Sequence, residues 1–368
     1  MAQQGSRPLK VVIAAGGTAG HLVPALALAS ALTDKGAEVS FIGTGRGLEQ
    51  ELVPAAGYQL DTADLRGLER RLSPRAFLFL WSLVKGSFDC LGILRRRRPD
   101  VVVGGGGYVS WAPVFVAWLR RTPTLIMELD SHMGLANRAL APLARRVALS
   151  FPIPGRESGK YFLSGRPMGK AVLEADAGRG RELFGLREGT PVVLIYGGSL
   201  GARSLNLASV EAFGSGSLDF QLVHVSGRRD HGMLEKMLGD RPADLENYHL
   251  LDYTNDLPQA TAAADLVVAR AGASILELAA QGKPALLVPY PYATADHQLK
   301  NAEWMAAAGA AEVITDDGLD GAALGGRVRE LLGDRERLAS MAAASRRISS
   351  GDGAERVAAE VLSMAGEG

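Results

Sequence analysis

The chain has 368 residues, of which 47% are hydrophobic and 22% charged, and its 40 basic and 40 acidic residues give zero formal net charge. This balance argues against a general nucleic-acid binder. The single cysteine, Cys90, excludes a disulfide framework and a cysteine-based metal cluster, and it fits a reducing cytoplasm. The length favours two domains with substantial cores. We expect no signal peptide, since Met1–Pro8 is polar, and no apolar run approaches the roughly 20 residues of a membrane span.

The first element is a buried-strand pattern at Lys10–Ala15, which leads through the glycine-rich segment Gly16–His21 into a helix predicted from about Pro24 to Lys35. A glycine loop between a strand and a helix indicates a bound nucleotide or phosphate. The segment is neither a dinucleotide fingerprint nor a Walker loop, because GxGxxG is not in register and no GK[ST] follows. His21 either packs the loop as a structural histidine or acts on a ligand.

The segment Ala76–Leu94 is almost entirely apolar and ends in the four arginines Arg95–Arg98. Basic residues at the end of a helix complement its dipole. The helix either packs into the core or lies on an anionic membrane, because Phe77 and Trp81 fall near one face with basic residues around them. The pattern alone leaves both interpretations open.

A second glycine loop, Gly104–Ser110, follows the strand Asp100–Val103. Its four consecutive glycines leave the backbone open to a ligand and cost stability, which favours a functional role. The apolar segment Trp111–Leu119 then extends the membrane-facing surface, if there is one. The next strand, Thr124–Met127, ends beside Glu128 and Asp130, two acids that offer alternative catalytic bases.

The second half follows a linker pattern at Ser164–Arg179 and opens with the strand Pro191–Tyr196, the loop Gly197–Ala202 and a helix. Each half therefore begins with a strand, a glycine-rich loop and a helix. This weak duplication is typical of two Rossmann-like domains.

The most informative stretch is Asp265–Ala302, which predicts a strand, the loop Arg270–Ser274, a helix with Glu277 in its first turn, a second strand, and a helix opened by Asp296–Gln298. A glycine admits close approach of backbone to a ligand, and free N–H groups at a helix start favour a phosphate. Glu277 can accept two ribose hydroxyls. Taken alone, the loop is equally compatible with an ordinary βαβ unit.

Three motifs together resemble the MurG family of UDP-N-acetylglucosamine transferases: GGTAGH at 16–21, GGYVS at 106–110, and RAGAS…E…GKP…DHQxxNA between 270 and 302. The resemblance covers nearly the whole chain. It implies the α/β fold of GT-B glycosyltransferases, with two Rossmann-like, doubly wound parallel-sheet domains and a cleft between them. Residues 1–168 would form an acceptor- and membrane-binding domain on which a helix at about 352–368 packs back, and residues 169–351 would bind the UDP-sugar.

The resemblance also implies the reaction. N-acetylglucosamine would pass from UDP-GlcNAc, with inversion, to the 4-hydroxyl of undecaprenyl-pyrophosphoryl-MurNAc-peptide, converting lipid I to lipid II in peptidoglycan synthesis, on which cell shape and cell division depend. We expect a peripheral protein on the cytoplasmic face of the cell membrane, held through Ala76–Leu94, with cell-wall synthesis proteins as further partners. No cofactor and no nucleic acid are expected. No metal is expected either, because no cluster of acids resembles a metal site.

The resemblance and the residue chemistry together give a set of candidate site residues. His21 is the candidate base, with Glu128 and Asp130 as alternatives. The glycine-loop amides, Ser199 and Arg270 are candidates for stabilising the departing diphosphate. The donor-binding set is Thr18, Ala19, Gly20, Asp130, Ser199, Thr254, Arg270, Gly272, Ala273, Ser274, Ile275, Leu276, Glu277 and Gln298. The acceptor-binding set is Gly17, Gly106, Gly107 and Tyr108.

Four sites depart from the family pattern. The segment between Gly272 and Glu277 is one residue shorter than in the family, which implies a tighter phosphate turn at Ser274 and Ile275. Where members of the family have HEQN, this chain has Met127–Asp130, which keeps only the glutamate and replaces the asparagine with an acid. Gly165–Gly169 lacks the family's terminal arginine, whose charge Arg166 or Lys170 can replace, and Leu200 replaces a glutamine. These differences support two alternatives: a related UDP-sugar transferase acting on another lipid or small-molecule acceptor, and a non-catalytic UDP-sugar-binding scaffold.

Overall fold

A computed structural model describes residues 7–65, 75–198, 201–239, 246–293, 296–349 and 351–366, with the backbone alone for residues 75–83. The chain divides into two compact units. The first unit comprises Met1–Gly169 and Gly351–Gly368, and the second comprises Lys170–Ser350.

The first unit is built on a seven-stranded sheet in which every strand pair is parallel. Its strands are β1 (Lys10–Ala14), β2 (Glu38–Gly43), β3 (Gln59–Thr62), β4 (Val101–Gly104), β5 (Thr124–Glu128), β6 (Arg146–Leu149) and β7 (Tyr161–Leu163). Their order is β3-β2-β1-β4-β5-β6-β7. The chain reverses its direction of travel across the sheet between β1 and β4, which makes this pair the topological switch point.

Helices cover both faces of this sheet: α1 (Ala19–Asp34), α2 (Glu49–Ala55), α3 (Arg75–Arg97), α4 (Trp111–Leu119), α5 (Leu135–Leu140) and α15 (Gly353–Gly366). Successive side chains of a strand point to opposite faces. Accordingly, Val11 and Ile13 of β1 join a core with Leu28 of α1 and Val357 of α15, whereas Val12 joins a separate core on the other face. The continuous apolar runs of the strands follow from this burial on both faces.

The second unit has a six-stranded parallel sheet of order β10-β9-β8-β11-β12-β13. Its strands are β8 (Val192–Tyr196), β9 (Gln221–Val225), β10 (Tyr248–Leu251), β11 (Leu266–Ala269), β12 (Ala285–Leu287) and β13 (Ala311–Val313). Its helices are α6 (Lys170–Leu173), α7 (Ala177–Phe184), α8 (Arg203–Phe213), α9 (His231–Leu238), α10 (Leu257–Ala263), α11 (Ile275–Ala280), α12 (His297–Ala307), α13 (Gly321–Gly333) and α14 (Arg335–Ile348). The switch point lies between β8 and β11. The two sheets confirm the predicted pair of Rossmann-like, doubly wound units.

The start of the first helix was predicted wrongly. We placed it at about Pro24, but α1 begins at Ala19 and contains Pro24. Proline has no N–H to donate to the carbonyl four residues earlier. That carbonyl belongs to Gly20, and it accepts instead from Arg166 Nη2 at 3.3 Å. A contact 146 residues away in sequence thus stabilises a helix start that local pattern could not place.

The linker predicted at Ser164–Arg179 is partly helical, since it contains α6 and the start of α7. Asp176 caps α7, because its side chain accepts from the N–H of Arg179 at 2.8 Å. Within the described residues, none of the helices combines the length and the hydrophobicity that crossing a membrane requires.

Candidate active site

The two glycine loops of the first unit leave the sheet side by side at its switch point. Ala14 at the end of β1 pairs with Gly104 at the end of β4. The Nδ1 atom of His21 lies 3.1 Å from Thr18 Oγ1. The same ring packs against the second loop, where a Cβ added at Gly106 would lie 2.6 Å from its Cδ2 atom. The fold therefore brings His21 and the predicted acceptor glycines to one place.

Replacing Gly106 with alanine should displace the imidazole, because a Cβ at 2.6 Å cannot be accommodated and φ at this residue is +99°. We expect turnover to fall by at least about tenfold. Gly36→Ala is a matched control, since its φ is +84° and an added Cβ would meet nothing within 4 Å. Steady-state kinetics and thermal melts of both variants separate the clash from the backbone strain. Equal turnover in the two variants would contradict the packing argument.

The first glycine loop is fixed by Glu49, a side chain of α2 that is 0% exposed. Its carboxylate accepts from Gly17 N at 3.0 Å, from Thr44 N at 2.8 Å and from Thr44 Oγ1. A Cβ at Gly16 or Gly43 would lie 2.6 Å from this side chain. Burial raises the pKa of Glu49, but these hydrogen bonds outweigh it and leave the pKa below its ordinary value. Glu49 is thus a buried carboxylate that shapes the loop.

The second loop is fixed by Ser110, which is also fully buried. Its hydroxyl accepts from Gly106 N at 2.9 Å and lies 3.0 Å from the carbonyl oxygen of Ala14, so it connects the ends of β4 and β1. Tyr108 extends back to the first loop, where its ring lies 3.6 Å from a Cβ added at Gly17. The four predicted acceptor residues therefore lie together, with the Tyr108 side chain 38% exposed.

The loop after β5 is organised by Glu128, which is 5% exposed. Its carboxylate accepts four hydrogen bonds, from the N–H groups of Leu129 (3.0 Å), Asp130 (3.2 Å) and Gly134 (2.9 Å) and from Asn137 Nδ2 (2.9 Å). Burial raises the pKa of Glu128 above its ordinary value in spite of these bonds, and the nearby Asp130 adds to the rise. A carboxylate with this many donors fits a role in folding the loop better than the role of a base.

The pKa of His21 is lowered from its ordinary value of 6.5, first by burial and further by the guanidinium of Arg166. The carboxylate of Asp130 acts in the opposite direction and raises it. The lowered pKa keeps the imidazole neutral near pH 7, which is the state a general base needs. His21, Asp130 and Arg166 thus form one electrostatic group in the first unit.

A cavity of about 540 Å³ lies at the switch point of the second unit. Tyr196 at the end of β8 pairs with Ala269 at the end of β11, so the two loops that follow these strands meet there. The cavity has a volume typical of small-molecule sites. Its lining includes Gly197, Gly198, Arg203, Ser204, Arg229, Arg270, Gly272, Ser274, Tyr290, Tyr292, Gln298 and Asp316.

Arg270 is the central charge of this cavity. Its Nη1 donates to the carbonyls of Val288 and Pro289, both at 3.1 Å, and lies 2.6 Å from Asp316 Oδ1. Its Nη2 donates to Ser204 Oγ at 2.7 Å, and that hydroxyl donates to the same Asp316 oxygen at 2.7 Å. The guanidinium is therefore held rigidly. Among the described residues, no group of three or more His, Cys, Asp and Glu is arranged to hold a metal ion.

Tyr196 at the end of β8 interacts with Ser274, just before α11, and with Glu277 in α11. Burial raises the pKa of Tyr196, and the charge of Glu277 raises it further, against a hydrogen bond with Ser274. Ser274 and Gly272 line the cavity, and Ala273 lies between them. Ile275 and Leu276 are 0% and 2% exposed, and neither is among the described residues that line the cavity.

The remaining donor candidates lie in different places. Gln298 lines the cavity, and its side chain accepts from Tyr290 N at 3.0 Å. Thr254 is outside the set of described lining residues, and its hydroxyl accepts from Asp256 N at 3.0 Å just before α10. Ser199 lies outside the described residues. Thr18, Ala19, Gly20 and Asp130 belong to the first unit.

Several residues that shape these sites were not predicted from the sequence: Glu49, Asn137, Tyr196, Ser204, Tyr290, Asn301 and Asp316. Asn301, for example, is buried and donates to the carbonyl of Ala271 at 3.1 Å, which holds the turn before Gly272. For Asn301 the available signal was a polar residue among the buried positions of α12. Asp316 opens a short 3-10 helix at Asp316–Gly318.

Known proteins resemble this chain over most of its length. The glycosyltransferase family 28 N-terminal domain matches residues 11–149, and the family 28 C-terminal domain matches residues 192–357. Two relatives are named UDP-N-acetylglucosamine–N-acetylmuramyl-(pentapeptide) pyrophosphoryl-undecaprenol N-acetylglucosamine transferase. The protein from Moorella thermoacetica is 42% identical over 92% of this chain and 94% of its own. The protein from Halothermothrix orenii is 37% identical over 92% of this chain and 95% of its own.

Among solved structures, MurG from Acinetobacter baumannii superposes with a TM-score of 0.78 at 27% identity, covering 97% of this chain and all of that chain. This similarity confirms the GT-B fold. The 37% and 42% identity of the two relatives, each over 92% of this chain, shows more than a shared fold. The chain therefore belongs to the MurG family of UDP-N-acetylglucosamine-dependent glycosyltransferases.

Proposed function

We propose that the protein transfers N-acetylglucosamine from UDP-GlcNAc, with inversion, to the 4-hydroxyl of undecaprenyl-pyrophosphoryl-MurNAc-peptide, converting lipid I to lipid II. The observation that carries the proposal is His21, a neutral imidazole held by Thr18 and enclosed by the glycine loop of β4. The names of the relatives supply the substrates. NMR of the product tests the anomeric configuration and the position of the new linkage. A β-(1→4) linkage is expected. An α anomer would overturn the proposed inversion, and another linkage would overturn the proposed acceptor hydroxyl.

In this mechanism His21 is the general base. With Nδ1–H donating to Thr18 Oγ1, the lone pair on Nε2 takes the proton of the acceptor hydroxyl as that oxygen attacks the anomeric carbon. The carboxylate of Asp130 stabilises the imidazolium that forms. The N–H of Gly107 and the phenol of Tyr108 would contact the acceptor diphosphate, whereas the N–H of Gly106 already donates to Ser110 Oγ.

This mechanism predicts the pH profile of kcat/KM. The base acts when deprotonated, so activity falls as the pH drops through the pKa of His21, and this acid limb should lie below pH 6.5. Asp130→Asn removes the charge that raises the pKa, so the limb should move to lower pH. Rates measured from pH 5 upward for wild type and variant test this. A limb that moves upward in Asp130→Asn would contradict the electrostatic assignment.

We place the uridine diphosphate in the cavity of the second unit. Arg270 supplies a fixed positive charge for the departing diphosphate. Glu277 would accept the ribose hydroxyls and Gln298 would contact the sugar, as the family resemblance implies. Ser199 stays a candidate for the phosphates. Calorimetry with UDP-GlcNAc tests the placement: Glu277→Gln should weaken binding at least about tenfold, through loss of a charge-assisted bond, and unchanged affinity would remove Glu277 from the site.

We also propose that the first unit attaches to the cytoplasmic face of an anionic membrane. Phe88 on α3 is 69% exposed, and Trp118 and Leu119 at the end of α4 are 43% and 60% exposed. The side chain of Lys85 on α3 and those of Arg120 and Arg121 after α4 are exposed too. Apolar side chains beside basic ones suit an anionic lipid surface. The side chains of Phe77 and Trp81, predicted for this role, lie outside the described residues.

A double variant, Phe88→Ser with Trp118→Ser, should weaken binding to vesicles that contain anionic lipid by about tenfold or more, because two large apolar side chains no longer enter the interface. Met237→Ser is the control, since Met237 is 51% exposed and lies in the second unit. Co-sedimentation with liposomes measures both. Equal binding by the double variant and the control would remove this surface from the membrane contact.

One observation favours a second candidate, a related UDP-sugar transferase for another acceptor or donor. The loop that contains Met127 and Asp130 differs from the family pattern, yet Glu128 folds it through four hydrogen bonds. The loop therefore has a defined fold but carries side chains that differ from the family pattern, as altered specificity would require.

A further inference from the structure

A second cavity of the second unit, of about 510 Å³, lies at the opposite edge of the sheet from Arg270. Its lining includes Pro191, Asp265 and Pro284, which directly precede β8, β11 and β12. These are the amino ends of the strands, whereas the donor cavity lies at their carboxyl ends. The second cavity is therefore separate from the site described above.

The charge of this second cavity is strongly positive. Four cationic side chains line it, Arg181, Lys283, Arg335 and Arg346, against the single carboxylate of Asp265. Four positive groups and one negative leave an excess of three charges, in a protein whose formal net charge is zero. Within the described residues, no carboxylate pairs with Arg335 or Arg346. Such a local excess attracts a multivalent anion.

Two of these cations are held in place by backbone. Lys283 Nζ donates to the carbonyls of Ala262 at 2.6 Å and Ala264 at 2.9 Å. Arg181 Nη1 donates to the carbonyls of Arg187 at 2.8 Å and Thr190 at 3.2 Å. Donors that are fixed before a ligand arrives lose little entropy on binding.

The other two come from α14, which forms one wall. Arg346 lies across Gly282, whose φ is +66°, and a Cβ added there would meet Arg346 Nη1 at 2.6 Å. Because Gly282 has no side chain, the guanidinium of Arg346 can occupy this position. The pKa of Lys283 is lowered to about 8, mainly by burial and also by the charges of Arg346 and Arg181, while Asp265 acts in the opposite direction. The protein itself therefore leaves the positive charge uncompensated.

We propose that this cavity binds the phosphate group of a small phosphorylated molecule. Arginine forks match phosphate oxygens in geometry and charge, and lysine adds a point charge. The volume exceeds what a bare phosphate fills and suits a ligand of nucleotide or sugar-phosphate size. Leu332 and Leu338 line the apolar part of the wall and would contact the rest of such a ligand.

The test is calorimetry on the full chain at constant ionic strength, with inorganic phosphate, glucose 1-phosphate and uridine monophosphate as probes. Arg346→Gln should weaken phosphate binding by about tenfold or more, as loss of a charge-assisted contact does. Arg347→Gln, the next residue of the same helix and absent from the described lining, is the matched control and should change little. Lys283→Met should weaken binding as well. If Lys283→Met fails to fold, Arg335→Gln provides the same test.

Gln298→Ala, in the donor cavity, should leave phosphate affinity unchanged. Tighter binding of glucose 1-phosphate than of inorganic phosphate, with the difference lost in Arg346→Gln, would support contact with Leu332 and Leu338. The proposal is overturned if phosphate does not bind, if Arg346→Gln and Arg347→Gln weaken binding equally, or if Gln298→Ala abolishes it. None of these outcomes depends on whether the protein makes lipid II.

Discussion

Replacing His21 with alanine is expected to lower kcat about a thousandfold, within the range that general-base catalysis contributes. The imidazole lies where the loops after β1 and β4 meet, and its lowered pKa keeps it neutral near pH 7. The affinity for UDP-GlcNAc should change little, because the proposed donor cavity is built from residues of the second unit. Single-turnover kinetics together with donor calorimetry measure both quantities.

Two parallel variants separate the alternative bases. Asp130→Ala should lower kcat less than His21→Ala, since Asp130 acts on the pKa of the imidazole. Glu128→Gln should mainly lower stability, because three backbone N–H groups donate to its carboxylate. If His21→Ala kept kcat within about threefold of wild type while Asp130→Ala lost it, the base would be Asp130.

Replacing Glu49 with alanine is expected to lower the free energy of unfolding by about 3 kcal/mol, because three donors are left in a buried site without their acceptor. The loop at Gly16 and Gly17 would lose its anchor, so turnover should fall as well. Urea denaturation measures the stability. Glu51→Ala is the matched control, since Glu51 lies on the same helix and is exposed.

The effect of Glu49 should depend on pH in a defined direction. The folded pKa lies below the ordinary value of 4.5, so the stabilisation by the carboxylate is present above that pH and is lost as the pH falls through the folded pKa. The difference between wild type and Glu49→Ala should therefore shrink on acidification. A destabilisation no larger than that of Glu51→Ala at neutral pH would show that Glu49 does not anchor the loop.

The glycine loops could be predicted because their signals are local. A buried strand, a glycine-rich loop and a helix follow one another within 25 residues at Lys10–Asp34 and within 22 residues at Val192–Phe213. Parallel sheets then require the loops at the switch point to meet. Cys90, by contrast, carried only compositional information, and the structure buries it as a free thiol.

The residues that hold those loops could not be predicted, because their contacts join distant parts of the chain. Glu49 reads as the solvated first turn of a helix, yet it accepts from an N–H group 32 residues earlier. Ser204 meets Asp316 over 112 residues, and Arg166 meets Gly20 over 146. Hydrophobic periodicity carries no information about such pairs.

The altered loop after β5 gains an explanation from the structure. Glu128 is the one residue of Met127–Asp130 that matches the family pattern, and its carboxylate is the group that folds the loop. Met127 and Leu129 are buried in the core of the first unit, so their apolar replacement is compatible with the fold. Within Met127–Asp130, only Asp130 brings a new charge to the neighbourhood of His21.

The most direct test is UDP release by the purified protein with a soluble lipid I analogue, comparing UDP-GlcNAc with UDP-glucose, UDP-galactose and UDP-GalNAc. We predict release that depends on the acceptor and strongly prefers UDP-GlcNAc. Hydrolysis that ignores the acceptor, or preference for another sugar, would contradict the proposed reaction while leaving the GT-B fold in place.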